Sequence, residues 1–158
     1  MLKRLKWVLP SLIALFVVIQ LVRLPRTNPP VDTKREIYSI VAVDTAIASA
    51  FSRSCNDCHS NQTVWPWYSH VAPASWLVTY DVNKGRGELN FSEWGKYDPE
   101  KKAELLDGIC KEVTEGEMPG TSYTLLHPNS KLSAADVKAI CRWTRTTSQN
   151  TPVRADTD

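Results

Sequence analysis

Residues 55–59 form a C-x-x-C-H motif, Cys-Asn-Asp-Cys-His, and this short stretch constrains the fold of the 158-residue chain more than any other feature. Two cysteines at this spacing can each form a thioether bond with one vinyl group of a haem, and the adjacent histidine can bind the iron from one side. The motif therefore predicts one covalently attached haem c, carried by Cys55 and Cys58, with His59 as an iron ligand.

Other functions of a C-x-x-C pair have less support in the sequence. A zinc site needs a second pair of ligands, and the two remaining cysteines, Cys110 and Cys141, are far apart and have no histidines at zinc spacing. A thioredoxin-like redox pair would follow a strand within a βαβ pattern, but the segments that flank this motif have a helical character. A structural disulfide within the motif lacks supporting context as well.

The composition indicates one globular domain and gives no sign of a nucleic-acid partner. The charged and apolar fractions are those of an ordinary folded protein. A net charge of +2, with no dense stripe of Lys and Arg beyond the first residues, is too small for a nucleic-acid-binding surface. Many of the six Trp and five Tyr residues lie between Trp65 and Trp94, where large rings could pack against a haem or simply form a small core.

The amino terminus has the pattern of a signal peptide or of a membrane anchor. Three basic residues among the first six precede a nearly uncharged apolar run over residues 7–22. Because residues 21–26 contain no small-x-small cleavage site, we expect an uncleaved transmembrane helix over 1–24. Positive charge lies on both flanks, but the amino-terminal cluster favours an orientation with the amino terminus inside and the rest of the chain across the membrane.

The rest of the chain divides into three parts. The Asn-Pro-Pro sequence at 28–30 indicates a short, stiff linker, which we place at 25–32. A haem-binding domain is expected over 33–147, followed by a polar, flexible tail over 148–158.

Helical periodicity and capping residues predict an all-α fold, with no convincing strand. Apolar residues recur at helical spacing over 33–54, so one or two helices should run into Cys55. Further helices are expected over 73–84 with Gly85 at the end, from Asp98-Pro99 to Gly116, and over 134–146.

Cys110 and Cys141 each lie on the apolar stripe of one of the last two predicted helices. In an oxidising compartment this placement predicts a disulfide that joins the two helices. The alternative is a pair of buried free thiols, which pack well as small apolar groups.

Met118 is the candidate for the sixth iron ligand. It lies in the Met-Pro sequence just beyond the helix that Gly116 ends, and Pro119 should stiffen the loop that presents its sulfur. His70 or His127 could take this position instead, or it could remain open. Arg86 could pair with a haem propionate, although most arginines of this kind are simply solvated.

Beyond the motif, the chain resembles the haem-binding domain family over about residues 40–145. These are small bacterial c-type monohaem proteins, often membrane-anchored and similar in layout to cytochrome c. The resemblance is carried by residues 55–61, 65–69, 71–76, 85–86, 89–94, 117–119, 123 and 127–128. It implies a cytochrome c-like helical domain around one haem, with Cys55 and Cys58 as attachment points, His59 as the proximal ligand and Met118 as the distal one. Together with the predicted anchor, it implies a location in the bacterial inner membrane, single-pass, with the haem domain on the periplasmic side. Gly120 departs from the bulkier residue expected after Met-Pro.

These features together predict a function in electron transfer. An iron with both axial positions filled can exchange electrons, whereas an open iron can bind a gas or a peroxide. The sequence shows no distal set of acid, base and arginine of the kind that a peroxidase needs. We therefore expect a periplasm-facing electron carrier rather than a catalyst, with redox proteins and the membrane as partners. The alternative is a haem-based gas or redox sensor, or a small peroxidase-like enzyme, with an open sixth position.

Overall fold

The structure, a computed structural model, describes residues 2–150, with side chains from residue 6 onward. This part of the chain is all-helical, as predicted. Its α-helices are α1 (Leu2–Ile19), α2 (Ile37–Ile40), α3 (Thr45–Ser54), α4 (Asn56–His59), α5 (Ala74–Glu88), α6 (Pro99–Glu115), α7 (Thr121–Leu126) and α8 (Ala134–Asn150). Short 3₁₀ helices lie at Thr33–Arg35, Trp67–His70, Phe91–Lys96 and Pro128–Ser130.

The predicted membrane anchor over residues 1–24 is wrong. Among the described residues, no helix is long and apolar enough to cross a membrane. The first part of α1 contains three basic residues, and the apolar residues 7–19 that remain span only about 20 Å, against a hydrocarbon core of about 30 Å. The single-pass inner-membrane location, with a periplasmic haem domain, depends on that anchor and is overturned with it.

One hydrophobic core joins α3, α6 and α8 to the segment that follows α5. Phe51 of α3 stacks on Phe91 with ring centroids 5.0 Å apart and meets the edge of Trp143 at 5.2 Å. Leu106 of α6 and Ile140 of α8 are fully buried in the same cluster. Since α3 runs directly into the C-x-x-C-H motif, this core fixes the start of the motif.

The signals at the ends of α6 act as predicted. The Asp98 carboxylate accepts a hydrogen bond from the Lys101 N–H at 2.7 Å, and Pro99 occupies the first helical turn, where no N–H is needed. Gly116 ends the helix with φ of 76°, a left-handed conformation that glycine adopts without steric cost.

A capping box begins α8. The Asp136 carboxylate accepts hydrogen bonds from the N–H and the hydroxyl of Ser133, and the Ser133 oxygen in turn accepts from the Asp136 N–H. Arg53 of α3 pairs with the same carboxylate at 2.7 Å. The helix continues to Asn150, four residues past its predicted end, and residues 151–158 of the predicted tail lie outside the described residues.

The predicted disulfide between Cys110 and Cys141 is confirmed. It joins α6 to α8 across a sequence separation of 31 residues. The two longest helices of the domain are therefore held together by a covalent bond as well as by apolar packing.

Helix α5 does not end where the sequence predicted. It was expected to stop before Gly85, but it runs through this glycine to Glu88. Gly85 is therefore an interior residue of the helix, and its lack of a side chain allows a close contact with Cys58.

Candidate functional site

The C-x-x-C-H motif occupies a single helical turn. Helix α3 ends at Ser54, Cys55 leaves the helical conformation with φ of −128°, and α4 then carries the rest of the motif. The N–H of His59 donates to the carbonyl of Cys55 at 2.9 Å, which closes the turn. The two cysteines and the histidine are thus brought together, and both cysteines are free thiols.

Burial keeps both thiols protonated. It raises the pKa of Cys55 to about 12, with a further contribution from the neighbouring Cys58. Burial, assisted by the charge of Asp57, raises the pKa of Cys58 to about 11. Neither sulfur has the low pKa typical of a catalytic thiolate or of a redox-active C-x-x-C pair.

The ring of His59 is oriented by the backbone that follows α5. Its Nδ1 lies 3.1 Å from the carbonyl oxygen of Leu89, and because a carbonyl can only accept, Nδ1 carries the hydrogen. In the neutral ring, Nε2 then keeps the lone pair that a metal needs. Burial lowers the pKa of His59, and the carbonyls of Leu89 and Gly85 and the charge of Glu88 oppose this effect only in part. A neutral imidazole is therefore favoured.

Gly85 lets α5 pack directly against the motif. A Cβ atom on Gly85 would lie 2.6 Å from the carbonyl oxygen of Cys58 and 3.1 Å from its Cβ. The sequence suggests a helix terminator at this position, because a glycine late in a helix usually is one. Only the tertiary structure reveals that the absent side chain serves the contact with Cys58.

Arg86 ties the linker to the residues that follow the motif. Its guanidinium donates to the carbonyl of Ser60 at 2.7 Å, the carbonyl of Thr27 at 3.0 Å, the side-chain oxygen of Asn28 at 2.8 Å and the hydroxyl of Thr63 at 2.8 Å. These four hydrogen bonds to protein atoms occupy most of the five N–H donors of the guanidinium. Arg86 is thus a positioning residue, and the linker is packed against the domain.

A mostly apolar cavity of about 100 Å³ lies beside Cys58. Leu77 and Val82 of α5 form one wall, and Tyr123 and Leu126 of α7 form the other. Val64, Leu77 and Leu126 are also well exposed, so the cavity opens to the surface through apolar side chains. A flat apolar group bound to Cys58 could pack against these residues.

Three polar side chains, those of Asp57, Tyr68 and Tyr123, line the same cavity. The Tyr123 hydroxyl donates to the Asp57 carboxylate at 2.7 Å, and burial together with this carboxylate raises the pKa of Tyr123. The Tyr68 hydroxyl bonds Nε2 of His127 at 2.7 Å, and the His127 ring stacks on Tyr123 with centroids 4.4 Å apart. Because His127 is engaged in this way, it serves as a support for the cavity wall.

Met118 and His70 lie apart from the motif. Met118 follows the end of α6, donates its N–H to the carbonyl of Glu112 at 3.2 Å and is 39% exposed. It does not line the cavity beside Cys58, although Ser122 and Tyr123, a few residues later, do. His70 lines a separate cavity near the start of α5. The structure therefore gathers three of the four predicted site residues.

The ligands that the motif offers fit a metal that is bound in a porphyrin. Within residues 6–150, no group of three or more His, Cys, Asp or Glu side chains is arranged to hold a bare metal ion. The motif offers one imidazole with a free lone pair and two thiols on the same helical turn. The imidazole suits a haem, since the porphyrin supplies the four equatorial ligands and the protein only the axial ones.

An all-helical domain built around such a turn is the architecture of a haem-binding protein, and comparison with known families agrees. A family model described as a haem-binding domain matches residues 14–146. The chain belongs to this haem-binding domain family, as its motifs predicted. No curated protein matches it, and neither does any solved structure.

Proposed function

We propose that this protein is a c-type monohaem protein that transfers electrons. One haem would be attached through thioethers to Cys55 and Cys58, with His59 as the proximal iron ligand and Met118 as the sixth ligand. The observation that carries the proposal is the hydrogen bond from His59 Nδ1 to the carbonyl of Leu89, beside two unbridged thiols.

The surroundings of the motif support covalent attachment. The two thiols are unpaired although they lie on one turn, so both sulfurs are available to the two vinyl groups of a haem. Gly85 and Arg86 pack the backbone around Cys58 and Ser60 from one side, which leaves the other side of Cys58 facing the apolar cavity. A haem fixed at that position would supply a one-electron Fe(III)/Fe(II) couple.

Electron transfer requires a sixth ligand, and Met118 is the candidate with most support. Its loop leads directly into α7, which supplies residues to the wall of the cavity beside Cys58, and the sulfur would reach the iron from this loop. A thioether is a weaker donor than imidazole and favours the ferrous state, so His/Met ligation gives a higher reduction potential than bis-histidine ligation. Redox proteins would be the partners of such a carrier.

A second function, a gas or redox sensor or a peroxidase-like enzyme, is favoured by one observation. Met118 is partly exposed and is not among the residues that line the cavity beside Cys58, whereas Asp57, Tyr68, Tyr123 and Asp81 are. If no sulfur reaches the iron, these polar groups would face an open coordination position. Carbon monoxide binding separates the two functions.

The test uses the purified, haem-loaded protein. The oxidised wild type should show the weak far-red sulfur-to-iron band, and the reduced wild type should bind carbon monoxide slowly or not at all. Met118→Ala should lose the band and bind carbon monoxide at once, while Leu125→Ala, which removes an exposed side chain of α7, should behave as wild type. Immediate carbon monoxide binding by the wild type would favour the sensor or enzyme and reject the electron carrier.

A further inference from the structure

A second cavity, of about 230 Å³, lies between the segment that follows α1 and the start of α5. Its lining is polar and basic, and it includes no Asp or Glu. The residues that form it are Gln20, Val22, Arg23, Arg26, His70, Ala72 and Ser75. None of them lines the cavity beside Cys58, so this is a separate site.

The two arginines of this cavity have no side-chain partner among the described residues. Among residues 6–150, neither the Arg23 nor the Arg26 side chain forms an ion pair or a hydrogen bond, although five arginine or lysine side chains elsewhere are within 3.7 Å of a carboxylate and Arg86 makes four hydrogen bonds. Two guanidinium groups on the wall of one cavity place two positive charges there, and an anion in the cavity would be attracted to both.

A free hydroxyl at the cavity wall points to a ligand independently of this charge. Ser75 is only 5% exposed as a residue and lines the cavity, and its hydroxyl makes no hydrogen bond to any of the described residues. Its oxygen is not among the fully buried polar atoms that lack a partner, so the hydroxyl opens into the cavity, where a ligand can reach it. An oxygen-rich ligand in the cavity would accept a hydrogen bond from it.

Hydrogen bonds hold the walls of the cavity in place. The Gln20 side chain both donates to the Ala72 carbonyl at 3.1 Å and accepts from the Ala72 N–H at 2.9 Å. The indole N–H of Trp76 donates to the carbonyl of Val22 at 2.9 Å. The backbone that leads to the two arginines is therefore fixed against α5 and the residues before it, before any ligand arrives.

We propose that this cavity binds a phosphate-type oxyanion. Arg23 and Arg26 would each offer a planar fork of N–H donors that matches two phosphate oxygens, and the Ser75 hydroxyl would donate to a third. His70 lies at the edge and can donate through its ring. The phosphate could be the free ion or part of a phosphate monoester, since both present the same terminal oxygens.

The experiment is isothermal titration calorimetry of the haem-loaded full chain with inorganic phosphate, at constant ionic strength in chloride. Saturable binding to one site is expected. The double variant Arg23→Gln/Arg26→Gln should bind at least about tenfold more weakly, because both charged forks are lost. Arg142→Gln/Arg145→Gln, which removes the same charge from α8, should bind as wild type.

Ser75→Ala separates a built site from general attraction by positive charge. It leaves the net charge unchanged, so weaker binding of phosphate by this variant supports the hydroxyl as a ligand. A parallel titration with glycerol 3-phosphate identifies the source: tighter binding than inorganic phosphate indicates an ester, and equal or weaker binding indicates the free ion. Absence of saturable binding in wild type, or equal weakening by the two arginine double variants, would overturn the proposal.

Discussion

One pair of cysteines in this protein forms a disulfide and the other pair remains free, and the difference follows from where the fold places them. Cys110 and Cys141 lie on two long helices that pack side by side, and they are joined by a disulfide. Cys55 and Cys58 lie three residues apart on one turn and remain thiols, next to a histidine whose ring is already oriented. We call Cys110 and Cys141 the scaffold pair, because they join two helices, and Cys55 and Cys58 the available pair, because both are free to react.

The largest expected effect is the loss of haem when the available pair is removed. Cys55→Ala/Cys58→Ala should lose all covalent haem, because no other described thiol is free. Cys110→Ala/Cys141→Ala should retain it in full. Haem absorbance that stays with the protein band after denaturing electrophoresis measures both variants. Equal haem loss from the two variants would break the distinction between the pairs.

The scaffold pair should instead affect stability. Removing the disulfide with Cys110→Ala/Cys141→Ala should lower the free energy of unfolding by about 3–4 kcal/mol, since the bond closes a loop of 31 residues in the unfolded chain. Urea denaturation measures the change. An equal free energy of unfolding with and without the bond would show that α6 and α8 are held together by packing alone.

Gly85 offers a test of the contact that supports the available pair. Gly85→Ala would place a Cβ atom 2.6 Å from the carbonyl oxygen of Cys58, so we expect a loss of roughly 1–3 kcal/mol in stability and a lower haem yield. Gly87→Ala, in the same helix, has open space around the new atom and should be neutral or stabilising by up to about 1 kcal/mol. A similar gain in stability in the two variants would mean that helix propensity, not the contact with Cys58, governs the effect.

A smaller effect on stability is expected at the ion pair that connects α3, which leads to the available pair, with α8, which carries one cysteine of the scaffold pair. Arg53, near the end of the helix that leads to Cys55, pairs with Asp136, which caps the helix that carries Cys141. The hydrogen bonds from Ser133 and Arg53 lower the pKa of Asp136 to about 2. A carboxyl with a lowered folded-state pKa stabilises the protein above its unfolded value near 4, and this contribution disappears as the pH falls towards 2.

Asp136→Asn should therefore cost about 1 kcal/mol at neutral pH, after allowance for the solvent that screens this partly exposed pair. The difference between variant and wild type should shrink as the pH is lowered from 5 to about 2. Thermal unfolding across this range measures it, with Asp107→Asn, on the neighbouring helix α6, as the control. A difference that does not depend on pH would contradict the role of the charge.

The sequence predicted most of what depends on local signals. The caps at Asp98 and Gly116 gave the ends of α6, and the cysteine positions on two apolar stripes gave the disulfide. These signals act within a few residues or follow from helical period alone, so a single sequence contains them. The C-x-x-C-H motif is likewise a local pattern.

What the sequence did not reveal depends on contacts between distant segments. Gly85 resembles a helix terminator until Cys58, 27 positions earlier, is placed against it. The pairing of Tyr123 with Asp57 crosses 66 residues, and Arg86 reaches back 59 residues to Thr27. The predicted membrane anchor was wrong because it relied on the hydropathy of residues 7–22 alone. Helix α1 ends at Ile19, before that apolar run ends, and is not long and apolar enough to cross a membrane.

The central proposal, a haem bonded covalently to the available cysteine pair, is tested most directly by acid-acetone extraction of the purified wild type. This treatment removes haem that is held only by axial ligands and leaves haem that is bound through thioethers. We predict that the colour stays with the protein and that mass spectrometry of the denatured chain finds one haem on the peptide that contains Cys55 and Cys58. Complete extraction, with both thiols left unmodified, would contradict it.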